Sequence, residues 1–359
     1  MKRNFSVPEL SKIVDWDCYS SNMIKSYISS FVDFAKHKLV CADKITLNAN
    51  CIHVPNKINL SSLIASSRIF HFTRKLDTYY LSIKRVPKPN LTMTALSTNA
   101  TLQTIVYHSK DINAIFCSMF KELKQRIILS LEDHVKLYCD MSPKDFANEI
   151  RNMGTDVKYL FSGDDSILMN KTSHIEIDIS KYDKFQGIVA PKYDCMILKY
   201  YGILQYYINL WYNGHFLSII YEPLIKLKCL IPFQRKSSDA STFILNITFL
   251  MGIISNSTML NDFKMDLSNG FEINFFSSKF NLETKIFKFK YKYFCSKFLL
   301  NVGGKYHFVP DPVKILIKLG RKDLVNNIHK ECYKNSLMDL CSVFADYAVC
   351  IELSNAVCE

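Results

Sequence analysis

The chain has 359 residues, 48% of them hydrophobic, enough for one large core or two to three layered subdomains; a disordered chain is excluded. Lys and Arg number 45 against 33 Asp and Glu, a formal charge of +12, which favours a polyanionic partner, either nucleic acid or an anionic membrane face. The 12 cysteines include no Cys-x-x-Cys pair, and His329 with Cys332 lacks partners at zinc-finger spacing, so the thiols read as reduced and structural in a cytosolic setting. Met1-Lys2-Arg3-Asn4 leads into Pro8, Glu9 and Asp15 instead of an apolar run, unlike a secretory signal.

Along the chain, Ile24, Ile28, Phe31, Phe34 and Ala35 recur at helical spacing. Beyond Leu81, two prolines stiffen the basic loop Lys84-Arg85-Val86-Pro87-Lys88-Pro89. After Ile105 the spacing of Ala114, Phe116, Met119 and Leu123 predicts a helix running toward Leu131. Val157 to Phe161 and Ser166 to Met169 flank the turn Ser162-Gly163-Asp164-Asp165, the pattern of a β-hairpin. In Ile175-Glu176-Ile177-Asp178-Ile179 the isoleucines alternate, so one face of a strand is buried while Glu176 and Asp178 share the other. Residues 188–234 are aromatic-rich and read as mostly helical, and Ser237 to Ser255 reads as a second long helix. Tyr200 to Tyr221 and Ser241 to Asn261 carry no formal charge, but Gln205, Asn209, His215, Asn246 and Asn256 make them too polar for lipid, and both read as core helices. Farther on, Phe287, Phe289, Tyr291 and Tyr293 alternate with Lys288, Lys290 and Lys292, giving a strand one aromatic and one basic face; the basic face suits either solvent or phosphate.

The acids carry the chemistry. Adjacent carboxylates at the hairpin tip, Asp164 and Asp165, repel each other unless water or a cation intervenes. Asp178 on the following strand is of the right type to complete a site for two hard cations bridged by oxygen ligands, an arrangement suited to phosphoryl transfer. An isolated Gly-Asp-Asp is also consistent with a solvated turn.

The segment Asp178-Ile179-Ser180-Lys181-Tyr182-Asp183-Lys184-Phe185-Gln186 decides between them, because it resembles motif A of the tobamovirus-like viral RNA-dependent RNA polymerases of the alphavirus-like superfamily, departing where Phe185 replaces serine. Gln234-Arg235-Lys236-Ser237-Ser238-Asp239-Ala240-Ser241-Thr242-Phe243-Ile244-Leu245-Asn246 is similar to motif B, with Ser238 and Leu245 in place of glycines and Ile247 in place of threonine. Leu102 to Lys110 and Ile112 to Phe116 look like a block of the same family's fingers; Phe280 to Lys285 and Tyr293 to Phe298 look like motifs D and E. The resemblance spans roughly residues 81–355.

That resemblance implies an α+β right-hand polymerase with an antiparallel palm sheet, helical fingers and a short helical thumb. The implied division is residues 1–156 as N-terminal extension and fingers, 157–187 as palm with motifs C and A, 188–234 as a fingers insertion, 235–300 as palm with motifs B, D and E, and 301–359 as thumb. Asp178, Asp164 and Asp165 become the metal ligands, for Mg²⁺ or alternatively Mn²⁺. Lys285 becomes a proton donor to pyrophosphate; Lys84, Arg85, Lys88, Asp183, Ser237, Thr242 and Asn246 become nucleotide-binding residues. The implied partners are RNA template and product, ribonucleoside triphosphates, and other replication proteins such as a helicase and a capping enzyme, in a replication complex of the infected host cytoplasm with indirect membrane association.

One feature departs from the family: Gly-Asp-Asp normally follows motif B, and here it precedes motif A. A hairpin begins and ends on one side of its sheet, with paired strands about 5 Å apart, so it can be reinserted upstream without moving its neighbours. A competing reading places a decayed hairpin at Asn269-Gly270-Phe271-Glu272. The altered order, with Ser238, Leu245 and Ile247, also motivates an alternative function, a catalytically silent RNA-binding scaffold.

Overall fold

The computed structural model describes residues 13–45, 76–83, 104–171, 173–180, 182–222, 226–256, 279–287, 291–302 and 304–313, with Lys334 and Met338. In chain order the elements are α1 (Trp16–Phe31), α2 (Phe34–Val40), β1 (Thr78–Ile83), β2 (Thr104–Tyr107), α3 (Lys110–Ser130), β3 (Val135–Leu137) and α4 (Pro143–Asn152). Next come β4 (Lys158–Ser162), β5 (Asp165–Met169), β6 (His174–Ile179), α5 (Tyr182–Phe185), α6 (Val189–Tyr200), α7 (Gln205–Phe216), β7 (Leu217–Glu222) and β8 (Leu227–Pro232). The last are α8 (Thr242–Asn256), β9 (Thr284–Phe287), β10 (Lys292–Phe294), β11 (Lys297–Val302) and β12 (Lys305–Pro310). The fold is mixed α+β with sheets that are mostly antiparallel. It divides into two compact units, Met1–Glu132 with Asp178–Lys285, and Asp133–Ile177 with Ile286–Glu359.

In the first unit α1 is capped by Asp15, whose side chain accepts from Cys18 N at 3.0 Å. Its buried face is Ser20, Met23, Tyr27 and Phe31, not the stripe of Ile24 and Ile28, and Phe34 and Ala35 are exposed. The cause is the extended backbone of Val32 (φ −111, ψ 120), which ends the helix and resets the phase of apolar positions before α2. Tyr27 and Tyr201 share a hydrogen bond of 2.9 Å between hydroxyls, satisfying polar groups that their buried rings carry inward. α8 is buried on nearly every side, as its predominantly apolar sequence requires.

This unit also holds a four-stranded sheet in the order β2-β1-β7-β8. β1 pairs antiparallel with β2 and parallel with β7, and β7 pairs antiparallel with β8. The helical reading of residues 188–234 therefore holds for α6 and α7 and fails over β7 and β8. Ser218 and Ile220 point inward at alternate positions, and pairing to β1 outweighs the weak local signal. Tyr200 to Tyr221 is thus part helix and part strand, and among the described residues no helix is long and apolar enough to cross a membrane.

A five-stranded sheet, of which β3, β4 and β5 lie wholly in the second unit, has the order β3-β4-β5-β6-β9, with β3 parallel to β4, a departure from a wholly antiparallel sheet. A three-stranded sheet β10-β11-β12 accompanies it. α4 starts with Ser142 as N-cap and Pro143 in the first turn, and buries Phe146, Ala147 and Ile150 against Leu160, Ile167, Met169, Phe294, Leu299 and Phe308. The expected aromatic-basic strand across residues 287–293 is split between β9 and β10, and Lys288, Phe289 and Lys290 lie outside the described residues.

Candidate active site

The hairpin forms as its sequence dictates. Ser162 pairs with Asp165, leaving Gly163 and Asp164 as a two-residue loop. Gly163 takes φ +61, the left-handed backbone that a II′ turn needs at its first position and that glycine adopts without penalty. Asp164 is exposed at the tip, Asp165 half-buried at the start of β5, and the flanking Tyr159 to Phe161 and Ser166 to Met169 are buried. Tyr138 N donates to Phe161 O at 2.9 Å and Ser162 Oγ to Tyr138 O at 3.0 Å, tying the hairpin's first strand to the segment after β3.

The connector back to β6 is closed locally, with Asn170 N donating to Ser173 O at 2.9 Å and Asn170 Oδ1 accepting from Ser173 N at 2.7 Å. So short a link suits only an antiparallel neighbour, and β6 is next to β5 in the sheet order. Along β6, Ile175, Ile177 and Ile179 are buried as expected, and Asp178 is half-exposed. Glu176 departs from expectation. It is 3% exposed, because its carboxylate accepts from Tyr293 N and lies 3.5 Å from His174 Nε2. The β10–β11 turn places the Cys295 thiol beside Ser162 and Asp165, and burial followed by the Asp165 charge pushes its pKa far upward. Both turn residues, Cys295 (φ 50) and Ser296 (φ 62), hold left-handed backbone without being glycine, a conformation that costs energy.

Motifs A and B meet through side chains. Asn246 Nδ2 donates to Asp183 Oδ1 at 2.8 Å, and Gln186 Nε2 donates to Asn246 Oδ1 at 2.8 Å. Arg235 Nε donates to Gln186 Oε1 at 2.8 Å, and Arg235 Nη1 stands 2.8 Å from Asp194 Oδ2. Burial pushes Asp194 up to about 6, against the pull of Arg235. Ser237 Oγ accepts from Val106 N at 3.2 Å and Ser238 N donates to Val106 O at 3.0 Å, so the loop before α8 is stapled to β2. Neither Ser238 nor Leu245 has a left-handed φ, so neither position demands the glycine that the family pattern carries. Thr242 Oγ1 donates to Lys236 O, closing the turn that starts α8 later than the sequence reading placed it.

Under this loop lies a buried cluster that the sequence reading did not single out. Asp239 Oδ1 accepts from Ser241 N at 2.9 Å and from Ser241 Oγ, and Oδ2 stands 3.2 Å from His108 Nδ1 and 3.7 Å from His215 Nε2. Burial alone would raise the Asp239 pKa, but His215, His108 and Ser241 outweigh it and hold the carboxyl well below the usual range. Burial drives His215 down to about 3. It is therefore neutral at pH 7, with Nδ1 bonded to Trp211 O at 2.9 Å and Nε2 facing the Tyr79 hydroxyl at 3.3 Å. With His215 neutral, the hold on Asp239 falls to His108 and Ser241. Lys236, 1% exposed, donates to Gln234 O and stands 5.2 Å from the Tyr79 ring centre; burial lowers its pKa to about 7, opposed by Asp239. A lone acid in the apolar helix α6, Asp194, and a lone imidazole in α7, His215, were the available signals, since a polar group there needs a partner.

The remaining expected site residues fall as follows. Lys285 is exposed on β9. Lys84, Arg85, Lys88 and the Asn269 to Glu272 segment lie outside the described residues. Asp164, Asp165 and Asp178 are all hard oxygen donors and fit Mg²⁺ or Mn²⁺ by type. Among the described residues no group of three or more His, Cys, Asp or Glu side chains is drawn close enough to hold an ion.

A sequence model of the family described as RNA dependent RNA polymerase matches residues 1–359. The chain belongs to this family. Within the RNA dependent RNA polymerase family it is tobamovirus-like, as its motifs indicated. The chain is 28% identical over 375 residues to the replicase large subunit of Turnip vein-clearing virus, covering 100% of this chain and 22% of that protein. It is 29% identical over 359 residues to the replicase large subunit of Sunn-hemp mosaic virus, 95% of this chain and 21% of that protein. An RNA replication protein of Citrus leprosis virus C is 34% identical over 305 residues, 80% of this chain. The chain spans only 12% of that relative's length and 22% or less of the two replicases.

Proposed function

We propose that the chain is the nucleotide-polymerising part of a viral replicase, joining ribonucleoside triphosphates on an RNA template. The observation that carries this reading is the Asn246 to Asp183 hydrogen bond of 2.8 Å, which joins residues 63 apart in sequence that the motifs separately implicate in ribose sensing. A side-chain amide and a carboxylate side by side offer a donor and an acceptor, the pair that a 2′-hydroxyl complements. Family membership, a charge of +12 and the intact acidic hairpin support the same conclusion.

In this reading Asp178, Asp164 and Asp165 hold divalent ions of the Mg²⁺ or Mn²⁺ kind. When bound, such ions would neutralise triphosphate charge and favour attack by a primer 3′-hydroxyl. Asp183 and Asn246 hold the ribose, Ser237 and Thr242 shape the loop beside it, and Lys84, Arg85 and Lys88 bind phosphates. Lys285, exposed on β9, supplies a proton to the departing pyrophosphate. The layout is a right-hand polymerase with the hairpin moved ahead of motif A, acting in a host-cytoplasmic replication complex with helicase and capping partners.

The test is extension of a primed RNA template by the purified chain. Asp164→Asn should abolish magnesium-dependent incorporation, and near-normal extension would refute the metal assignment. Salt-sensitive RNA binding by a wild-type chain that incorporates nothing would instead favour the scaffold reading.

A further inference from the structure

We infer that Gln186 and Arg235 are positioning residues for sugar choice: through a one-way relay of hydrogen bonds they fix which end of the Asn246 amide faces Asp183. The inference rests on the reading of Asp183 and Asn246 as the ribose site and extends it to residues that would not touch the nucleotide.

The argument is one of hydrogen-bond polarity. A guanidinium only donates and an ionised carboxylate only accepts. Arg235 Nε therefore requires the oxygen of Gln186, 2.8 Å away, which turns the Gln186 nitrogen toward Asn246. That nitrogen requires the Asn246 oxygen, which turns the Asn246 nitrogen toward Asp183, again at 2.8 Å. The opposite end imposes the same answer, because Asp183 takes only a donor. Two amides that could each point either way are thus held in one orientation from both ends. Asp194 anchors the start of the relay 2.8 Å from Arg235 Nη1. Gln186 is 2%, Arg235 5% and Asp194 0% exposed, so water does not substitute for a missing link.

The fixed orientation has a chemical consequence at the exposed end. The second hydrogen on Asn246 Nδ2 and the oxygens of Asp183 form a donor beside an acceptor, matched to a hydroxyl that both accepts and donates. A sugar lacking the 2′-hydroxyl offers neither. Reversing the amide would present two acceptors side by side, which no longer match a hydroxyl in the same way.

Gln186→Glu tests this with almost no change of shape. Glutamate still accepts from Arg235, but its second oxygen demands the Asn246 nitrogen and turns the Asn246 oxygen onto Asp183. The readouts are equilibrium binding of ATP against 2′-deoxy-ATP with Mg²⁺, incorporation of the same two nucleotides, and the melting temperature. Wild type should prefer ATP, and Gln186→Glu should lower that preference about tenfold or more, the worth of a hydrogen bond involving a charged group. The double variant Gln186→Glu with Asp183→Asn restores a donor opposite the turned oxygen, so it should regain melting temperature without regaining ribose preference. A double variant that melts no higher than Gln186→Glu alone would show that the Asn246 amide had not turned and would overturn the proposal. If wild type polymerises but Gln186→Glu and the double variant keep full ribose preference, the relay is refuted while the polymerase reading stands. If wild type prefers ATP in binding, loses that preference on substitution and yet incorporates nothing, the relay stands and the polymerase reading falls. Equal binding of the two nucleotides by wild type overturns the relay.

Discussion

Gly214→Ala sets two effects of opposite sign against each other at one methyl group. Gly214 lies inside α7, where alanine is favoured over glycine by about 1 kcal/mol in helix propensity. A Cβ built there would sit 2.8 Å from Leu76 O, 3.5 Å from Leu76 C and 3.8 Å from Leu76 Cβ. The nearest atom is backbone, so relief requires α7 or the chain entering β1 to shift. Leu76 O is also 2.8 Å from His108 Nε2, so a shift strains the imidazole that faces Asp239. Forced overpacking costs about 1–3 kcal/mol and a strained hydrogen bond about 1 kcal/mol more. The contact therefore wins, and the expected net loss is about 1–3 kcal/mol. Urea unfolding of the purified chain measures it as a lower midpoint at unchanged slope. A midpoint equal to or above wild type would mean that propensity dominates and that the close approach of α7 to Leu76 is wrong.

Two further outcomes follow from buried charge. Arg235→Met leaves Asp194 unpaired at 0% exposure and should cost about 3–5 kcal/mol, whereas Arg235→Met with Asp194→Leu should recover much of that; a double-variant loss equal to the sum of the two single-variant losses would show that the pair is not coupled. Lys236, ordinarily protonated to 10.5, is lowered to about 7 by burial, so above pH 7 the unfolded chain holds a proton that the folded chain has released. Stability should then rise with pH above 7, by up to about 1.4 kcal/mol per unit, and be level in this respect below it. Measurement from pH 7 to 7.8 stays below the ordinary thiol pKa of about 8.5, and Lys236→Met should remove the slope; an unchanged slope would place its origin elsewhere.

The parts of the fold legible in the sequence are those with short-range causes. Gly163 between two apolar runs specifies a hairpin, and alternating isoleucines specify β6, because turn backbone and pleat act over a few residues. β7 was not legible, because its partner β1 is more than a hundred positions upstream and its own pattern is equally apolar as helix; β8 pairs only with β7 and was missed with it. Glu176 shows the same limit in one residue: alternation assigned it to an open face, yet it is buried by the backbone of Tyr293, which no local period announces. At the candidate site, Asp183, Arg235 and Asn246 were readable from motif text, but their joining through Gln186 was not. His108, His215 and Asp239 form a cluster only when β2, α7 and the loop before α8 converge.

The parallel pairing of β1 with β7, Thr78 beside Ile219, bears on how the chain is made. A ribosome adding roughly 5–20 residues per second needs on the order of ten seconds to deliver the second strand after the first. During that interval Tyr79 and Leu81, buried in the finished protein, have only the early-made β2 with Val106 beside them and lack the cover of Ile220 and Ile231. Newly synthesised chains are therefore most exposed to aggregation and to chaperone capture in mid-translation, and slower elongation between the two strands lengthens that exposure.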